Sequence, residues 1–131
     1  MRAREGKNRI RIGVVEDDSL VSGMLLESLE RFGYMPFIFN DGWSFLEALN
    51  GNYQTIETKP FDIVLLDILL PGTISGIEVL QYLSLTRPEL PLIILSALNK
   101  DDLKNIQEQY PKSKILQKPF RLSDLQASIE A

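Results

Sequence analysis

Two kinds of hydrophobic pattern alternate along the chain. Short runs rich in Val, Ile and Leu are typical of buried strands, and longer stretches with apolar residues every three or four positions are typical of amphipathic helices. The pattern predicts strands at residues 10–15, 34–39, 61–67, 90–97 and 113–117, and helices at residues 19–33, 43–51, 76–87, 100–110 and 121–131. Five strand–helix units in strict alternation predict an α/β fold, a doubly wound five-stranded parallel sheet with right-handed crossovers.

The same pattern predicts which side chains are buried. The strand "FDIVLLD" is apolar on both faces, as expected of a central strand with helices on each side. Pro36 favours an edge position for the second strand, because proline has no amide hydrogen to donate. The predicted inward faces of the first and last helices carry Leu20, Val21, Met24, Leu25 and Leu29, and Leu122, Leu125 and Ile129, respectively.

Composition narrows the chemistry that the chain can perform. Its 131 residues are 44% hydrophobic and 24% charged, as in a single globular domain, and no apolar stretch is long enough to span a membrane. The chain contains no cysteine and no histidine. Disulfides, thiolate or histidine metal sites and Ser-His-Asp triads are therefore excluded, so that any chemistry depends on carboxylates, hydroxyls and lysine. A chain without cysteine also suits the cytoplasm.

Charge is unevenly distributed along the chain. Residues 1–11 contain five basic residues and one acidic residue, whereas the rest of the chain contains nine basic and seventeen acidic residues. We interpret residues 1–8 as a basic, flexible N-terminal tail and residues 9–131 as one domain. The acidic domain should repel nucleic acid backbones, so we do not expect this chain to bind nucleic acid directly.

Unusual polar residues end or follow four of the predicted strands. In an open parallel α/β sheet the carboxyl ends of the strands meet at one edge, where ligands bind. The residues concerned are Glu16, Asp17 and Asp18 after strand 1, Asp67 at the end of strand 3, Ser96 and Ala97 at the end of strand 4, and Lys118 with Pro119 after strand 5. Their shared placement predicts a functional site at this edge.

These residues are open to more than one interpretation. Asp18 can cap the helix that begins at Ser19, because carboxylates accept hydrogen bonds at helix N-termini. Three consecutive acids exceed that need, and with Asp67 they suit a hard cation such as Mg²⁺, which prefers oxygen ligands. Asp67 can be a strand-end carboxylate beside a turn, or a nucleophile that forms an acyl phosphate. Lys118 and Ser96 can be ordinary surface and strand-end residues, or partners of a phosphoryl group.

Five motifs carry a family resemblance. "VVEDD", "DIVLLDILLPG", "GIEVL", "PLIILSA" and "LQKPF" occur in the order of one known family and near its spacing. From about Arg9 to its last residue, the chain resembles the receiver domain of response regulators in two-component signal transduction, the CheY-like superfamily. The resemblance implies the flavodoxin-like strand order 2-1-3-4-5 and a cytoplasmic, phosphorylation-dependent switch rather than a free-standing enzyme.

The resemblance also implies a role for each residue at the predicted edge. Asp67 is expected to be the phosphoacceptor, and Lys118 to contact the phosphoryl group. Ser96 is expected to be the switch hydroxyl, with the Ala97 amide nearby. A cis peptide bond is expected between Lys118 and Pro119. Phosphorylation is expected to rearrange the surface formed by helix 4, strand 5 and helix 5.

Metal binding and phosphoryl lifetime follow from the same resemblance. The implied cofactor is Mg²⁺ (or Mn²⁺), with the ligands Glu16, Asp17, Asp67 and the backbone carbonyl of Leu69. The Leu69 side chain is expected beside the phosphoryl group, where a polar residue can orient the attacking water. A leucine there predicts a fairly long-lived phosphoryl state.

Three features depart from the family pattern. Ile115 occupies the position of an aromatic residue that rotates when the family switches. The loop "LPGTISG" after Asp67 is one residue longer than the common form, and the segment "NGNYQTIETKPF" is about five residues longer than usual, as in a surface insertion. None of these departures removes a chemical group from the predicted site.

The expected partners are other proteins. Because the chain has no histidine, the phosphoryl donor is expected to be a sensor histidine kinase or a histidine phosphotransfer protein. The expected target is an output domain or an effector protein, and phosphorylation can also drive formation of a homodimer. No membrane contact is expected.

Three alternatives compete with the phosphoacceptor. A receiver-like interaction module can act without phosphate, and Ile115 favours this alternative. A haloacid-dehalogenase-type phosphatase also uses an aspartate nucleophile, but it needs a second aspartate two residues later, where this chain has Leu69. A flavin-binding flavodoxin-like protein needs a phosphate-binding loop after strand 1, and three acids at that position would repel the phosphate.

Overall fold

Strands and helices alternate along the whole described part of the chain. The computed structural model describes residues 9–51 and 60–131, so the predicted tail (1–8) and most of the predicted insertion lie outside the described residues. The strands are β1 (Arg11–Val15), β2 (Met35–Phe39), β3 (Ile63–Asp67), β4 (Leu92–Ser96) and β5 (Lys114–Gln117). The helices are α1 (Ser19–Arg31), α2 (Gly42–Leu49), α3 (Gly76–Thr86), α4 (Lys100–Gln109) and α5 (Leu122–Glu130). Each predicted element is present, with small shifts at its ends.

The five strands form one parallel sheet in the order β2-β1-β3-β4-β5. This order confirms the predicted fold. Strands β3 and β4 are buried at every residue, because helices cover both of their faces. Strand β2 contains Pro36 and forms one edge of the sheet, as predicted. Since all strands are parallel, their carboxyl ends lie together at one edge, which we call the carboxyl edge.

Each face of the sheet carries its own hydrophobic core. Alternate residues of a strand point to opposite faces, so the apolar central strands contribute to both cores. On one face, β-strand residues such as Leu65 and Leu95 pack with α1 and α5 through Leu25, Leu29, Leu125 and Ile129. On the other face, residues such as Leu66 and Ile94 pack with α2, α3 and α4 through Phe45, Leu49, Val79, Leu80, Leu83 and Ile106. No helix in the described ranges is long and apolar enough to cross a membrane.

Two of the predicted inward-facing residues are exposed. Leu20 in the first turn of α1 is 84% exposed, because α1 buries the face that carries Ser22, Leu25 and Leu29. At about 100° per residue, Leu20 lies roughly 140° around the helix from Leu25. Leu122 is 42% exposed. It begins α5 at the carboxyl edge, where the sheet no longer lies beneath the helix. The prediction for Leu20 was wrong because of its angular position on α1, and the prediction for Leu122 was wrong because periodicity alone does not locate the end of the sheet.

Candidate functional site

Three charged residues that are distant in the sequence meet at the carboxyl edge. Glu16 directly follows β1, Asp67 ends β3, and Lys118 directly follows β5. The Lys118 ammonium donates one hydrogen bond to Asp67, with Nζ 2.8 Å from Oδ2, and another to Oε1 of Glu16. One lysine therefore links two carboxylates from different strands.

Burial makes the two carboxylates of this group unusual. Glu16 is fully buried and Asp67 is 4% exposed. Burial raises the pKa of Glu16 to about 7, with the nearby Asp67 carboxylate acting in the same direction and Lys118 opposing both. Burial lowers the pKa of Lys118, but its hydrogen bonds and charge contacts with Asp67 and Glu16 have the larger combined effect and raise it. Lys118 is therefore firmly cationic at neutral pH.

The acidic residues fit a metal ion with oxygen ligands. One carboxylate oxygen from each of Glu16, Asp17 and Asp67 lies within 4.8 Å of the others. Oε2 of Glu16 is buried, and it has no hydrogen-bond partner among the described residues. A buried carboxylate oxygen without a partner is costly, and a cation would satisfy it. Asp17 is exposed, so an ion can reach the cluster from solvent.

Asp18 is not part of this acidic cluster, because its side chain caps α1. Its Oδ1 accepts hydrogen bonds from the backbone amides of Leu20 (2.9 Å) and Val21 (3.2 Å). These contacts satisfy amides that have no partner within α1 itself. The capping interpretation is thus confirmed for Asp18 alone, while Glu16 and Asp17 lie beside Asp67 in a cluster that could hold a metal ion.

The loop after β3 holds the Asp67 carboxylate from the side opposite Lys118. The backbone amide of Leu69 donates to Oδ1 of Asp67 at 2.9 Å. The side chain of Leu69 is 52% exposed at the carboxyl edge. Gly76, the first residue of α3, packs directly on the backbone carbonyls of Asp67 and Ile68. Since any Cβ at position 76 would collide with these carbonyls, this close approach requires glycine.

Ser96 ends β4 at the same edge but does not join the charged group. Its buried hydroxyl accepts a hydrogen bond from the backbone amide of Leu98 at 3.1 Å. Ala97 between them is exposed. The backbone carbonyl of Ser96 accepts from the amide of Lys118 at 2.8 Å, which ties the ends of β4 and β5 together. Of the predicted site residues, Glu16, Asp17, Asp67 and Lys118 thus lie together, while the Ser96 hydroxyl is bonded to the Leu98 amide rather than to any of them and Ala97 is exposed beside it.

Gln117 makes a polar contact at this edge that was not predicted from the sequence. It is the last residue of β5, and its side-chain amide donates to the backbone carbonyl of Leu98 at 3.1 Å. Its position next to Lys118 at a strand end is the sequence signal that could have drawn attention to it. The next peptide bond, between Lys118 and Pro119, is cis, as expected from the resemblance.

Strand β5 lacks the aromatic residue that the family pattern expects. Ile115 stands in its place, half-buried against the core that β3 and β4 share with α2, α3 and α4. A branched aliphatic side chain fills this position by ordinary packing and has no ring to rotate. Strand β5 therefore carries no aromatic ring at this position.

Comparison with known proteins identifies the family of this chain. A family model described as the response regulator receiver domain matches residues 12–130. The response regulator receiver protein CpdR of Brucella abortus is 30% identical over 120 residues, covering 92% of this chain and 93% of that protein. A probable transcriptional regulatory protein of Picosynechococcus is 30% identical over 127 residues, covering 97% of this chain but 50% of that protein. The chain thus spans about half the length of some of the curated relatives that it matches.

Solved structures share the same fold. The BeF₃-activated receiver domain of DrrB is 27% identical with a TM-score of 0.75, covering 92% of this chain and 94% of that one. A CheY-like receiver domain protein from Methanospirillum hungatei is 23% identical with a TM-score of 0.77, covering 92% of this chain and 90% of that one. At that identity the second likeness supports the fold alone.

Proposed function

Because the chain belongs to the response regulator receiver domain family, we propose that it is a phosphorylation-dependent signalling switch of a two-component system. In this proposal Asp67 accepts a phosphoryl group, and the new charge alters the surface formed by α4, β5 and α5. The observation that carries the proposal is the hydrogen-bonded group of Glu16, Asp67 and Lys118 at the carboxyl edge. These groups combine a nucleophile with the cation that phosphoryl transfer requires.

Asp67 has the orientation that a nucleophile needs. The Leu69 amide holds Oδ1 at 2.9 Å and the Lys118 ammonium holds Oδ2 at 2.8 Å, so the carboxylate is fixed in place. In the proposed step a carboxylate oxygen attacks phosphorus and forms a new P–O bond. The bond between phosphorus and the donor imidazole nitrogen breaks, and the imidazole leaves with the electron pair. The product is an acyl phosphate on Asp67.

The neighbouring residues would balance the charge that this step brings together. Lys118 lies 2.8 Å from Asp67 and can contact a phosphoryl oxygen attached there. Mg²⁺ or Mn²⁺ would be held by Glu16, Asp17, Asp67 and the backbone carbonyl of Leu69. When bound, such an ion neutralises negative charge on the carboxylates and the phosphoryl oxygens. Ser96 and the Ala97 amide would contact the remaining phosphoryl oxygens.

The phosphoryl donor in this proposal is another protein. The chain contains no histidine, so the phosphohistidine belongs to a sensor histidine kinase or a histidine phosphotransfer protein. The domain then co-catalyses its own phosphorylation and dephosphorylation, and it is not an enzyme that turns over a separate substrate. We place it in the cytoplasm, where the family resemblance implies that such donors act.

The output of the switch is proposed from the relatives. The similar proteins of Picosynechococcus and Haemophilus influenzae are named as transcriptional regulatory proteins, and the chain covers 50% and 52% of them. We propose that phosphorylation acts on an output domain or effector protein, or drives formation of a homodimer. The excess of acidic residues in residues 12–131 argues against direct binding of nucleic acid by this domain.

Phosphorylation can be tested by mass spectrometry of the intact protein. After incubation with acetyl phosphate and Mg²⁺, we expect the wild type to gain one phosphoryl group. Asp67→Asn should gain none, because the amide nitrogen and oxygen are poor nucleophiles. Excess EDTA should also abolish the gain, since Lys118 alone then opposes the repulsion between three carboxylates and the phosphoryl group.

Asp18→Asn is the matched control for this experiment. Asp18 is the aspartate that follows Glu16 and Asp17, and its side chain caps α1. Because asparagine preserves the cap, this variant should be phosphorylated like the wild type. If neither acetyl phosphate nor phosphoramidate modifies the wild type, the proposal is wrong. A phosphate-independent interaction module then becomes the better interpretation of this fold.

A further inference from the structure

The Ser96 hydroxyl lies on the face of the sheet opposite the Asp67 carboxylate. Asp67 follows Leu65, whose side chain belongs to the core beneath α1 and α5. Ser96 follows Ile94, whose side chain belongs to the core beneath α2, α3 and α4. Because side chains two residues apart on a strand point to the same face, Asp67 and Ser96 point to opposite faces. A contact between the hydroxyl and a group on Asp67 therefore requires the Ser96 side chain to rotate or the end of β4 to move, and either change breaks its hydrogen bond from the Leu98 amide.

The residue that follows this strand end is held by two side chains. The amide of Leu98 donates to the hydroxyl of Ser96, and the carbonyl of Leu98 accepts from the side-chain amide of Gln117. A carbonyl can only accept, so the nitrogen of the Gln117 carboxamide must face it. Asn99 then begins α4 as its cap by accepting from the amide of Asp102 at 2.9 Å. The connection between β4 and α4 is thus anchored to β5 at its middle residue.

We propose that Gln117 is a positioning residue that holds the β4–α4 connection in its resting arrangement and opposes the movement of Ser96 toward Asp67. The inference rests on the proposed function, because it concerns the same site. Movement of Ser96 toward Asp67 displaces Leu98, which is bonded to it directly. The Gln117–Leu98 hydrogen bond resists that displacement, because Gln117 is part of β5 and is paired with β4 at Ser96.

Gln117 would take over part of the role of the family's aromatic residue, which is to respond to the movement of Ser96. Ile115 offers no ring whose rotation can follow Ser96. Gln117, two residues later on the same strand, instead contacts the moving segment through a hydrogen bond. Loss of that bond weakens the resting arrangement relative to the one in which Ser96 reaches Asp67. A ligand that needs the second arrangement should then bind more tightly.

Gln117→Met tests this inference, because methionine keeps the length of the side chain and removes the donor. The probe is beryllofluoride with Mg²⁺, and binding is titrated by the amide signal of Ala97 in NMR spectra. One exposed hydrogen bond corresponds to an affinity change of about two- to tenfold, so we expect the variant to bind beryllofluoride more tightly by that factor. In metal-free protein, hydrogen exchange at the Leu98 amide should accelerate by a similar factor.

Gln107→Met is the matched control. Gln107 also donates from its side-chain amide to backbone carbonyls, those of Pro111 and Ser113, but it does so beyond the C-terminal end of α4. Its loss should leave beryllofluoride affinity and Leu98 exchange as in the wild type.

The outcomes separate this inference from the proposed function. If the wild type binds beryllofluoride and Gln117→Met binds it equally well or more weakly, the positioning role of Gln117 is overturned and the proposed function stays intact. If Gln117 has only a structural role, the variant should be less stable but should not bind beryllofluoride more tightly, and this result would also overturn the positioning role. No beryllofluoride binding by any of the three proteins, together with no gain of mass from acetyl phosphate, overturns the proposed function and this inference with it.

Discussion

At the scale of single residues, the burial of Asp67 is the main energetic problem of this molecule. Asp67 follows four buried apolar residues of β3, and an isolated carboxylate in such surroundings is costly. The Lys118 ammonium and the Leu69 amide each bind one of its oxygens, which offsets much of that cost. The Leu69 contact is local, whereas Lys118 follows β5, so the charge of the aspartate is balanced only when the sheet is assembled.

Leu69 is the residue whose substitution should change the lifetime of a phosphoryl group on Asp67. Its side chain is exposed beside the carboxylate and offers water no hydrogen-bond partner. Leu69→Asn introduces an amide that can orient a water molecule, and we expect dephosphorylation to become about tenfold faster, a change of about 1.4 kcal/mol in the barrier. The decay of phosphorylated protein is followed by intact mass after the donor is removed.

Leu85→Asn is the control for this substitution. Leu85 is an exposed leucine on α3, away from the carboxyl edge, and its variant should decay like the wild type. Equal decay of Leu69→Asn and the wild type would contradict the role of Leu69.

At the scale of elements, the start of α3 determines where Asp67 sits. Ser75 and Glu78 form a reciprocal cap, in which each side chain accepts a hydrogen bond from the backbone amide of the other residue. This cap fixes the first turn of α3, and Gly76 in that turn packs on the carbonyls of Asp67 and Ile68. The position of Asp67 therefore depends on the start of a neighbouring helix as well as on its own strand.

Gly76→Ala should disturb both stability and site. The added Cβ would come within 2.5 Å of the Asp67 carbonyl oxygen and closer still to Ile68, so α3 must shift away. We expect a loss of about 3 kcal/mol in the free energy of unfolding, at the upper end for overpacking. Urea denaturation measures the loss, and phosphorylation by acetyl phosphate should slow because Asp67 is displaced.

Gly23→Ala serves as the matched glycine substitution. Gly23 lies in α1, and a Cβ there would meet nothing within 4 Å. Alanine is the better helix former, so this variant should be more stable than the wild type by about 0.5–1 kcal/mol. A Gly76→Ala protein as stable as the wild type would show that the close packing of α3 on β3 is not required.

At the scale of the whole molecule, charge at the carboxyl edge links metal binding to global stability. The cluster of Glu16, Asp17 and Asp67 contains three carboxylates, and Lys118 supplies one positive charge among them. Like charges held together by the fold repel one another in the metal-free protein. A cation that binds the folded cluster must therefore stabilise the entire domain.

Mg²⁺ should raise the thermal unfolding midpoint of the wild type. At a free Mg²⁺ concentration of about 100 times Kd, the expected stabilisation is about 2.7 kcal/mol, or roughly 10 °C in a domain of this size. Asp17→Asn should lose more than half of that shift, because an exposed ligand is removed without disturbing the core. Calorimetry or circular dichroism measures the midpoints.

Asp18→Asn is again the matched control, because it changes the net charge by the same amount as Asp17→Asn. It removes one negative charge next to the cluster but no member of it, so the Mg²⁺ shift should be retained. Shifts of equal size in Asp17→Asn and the wild type would rule out Asp17 as a ligand.

Local sequence patterns were sufficient to predict the order of the elements and the edge of the sheet at which the candidate site lies. Alternating apolar runs and helical stripes were enough to predict all ten elements, because strands and helices bury side chains with different periods. Polar residues such as Asp67 and Lys118 stood out because each interrupts or ends an apolar strand. The strand order followed from the family resemblance, and the structure confirms it.

The contacts between these groups could not be predicted from local patterns, because they depend on how the strands pack together. Lys118 bridges Glu16 and Asp67 because strands distant in the sequence lie side by side. The same packing separates Asp18, which caps a helix, from the other acids and places the Ser96 side chain on the face opposite Asp67. The exposure of Leu20 depends on which face of α1 meets the sheet, that of Leu122 on where the sheet ends, and the contact from Gln117 on the pairing of β5 with β4. Local patterns encode the period of each element, but contacts between elements are set by packing in three dimensions, which no single segment contains.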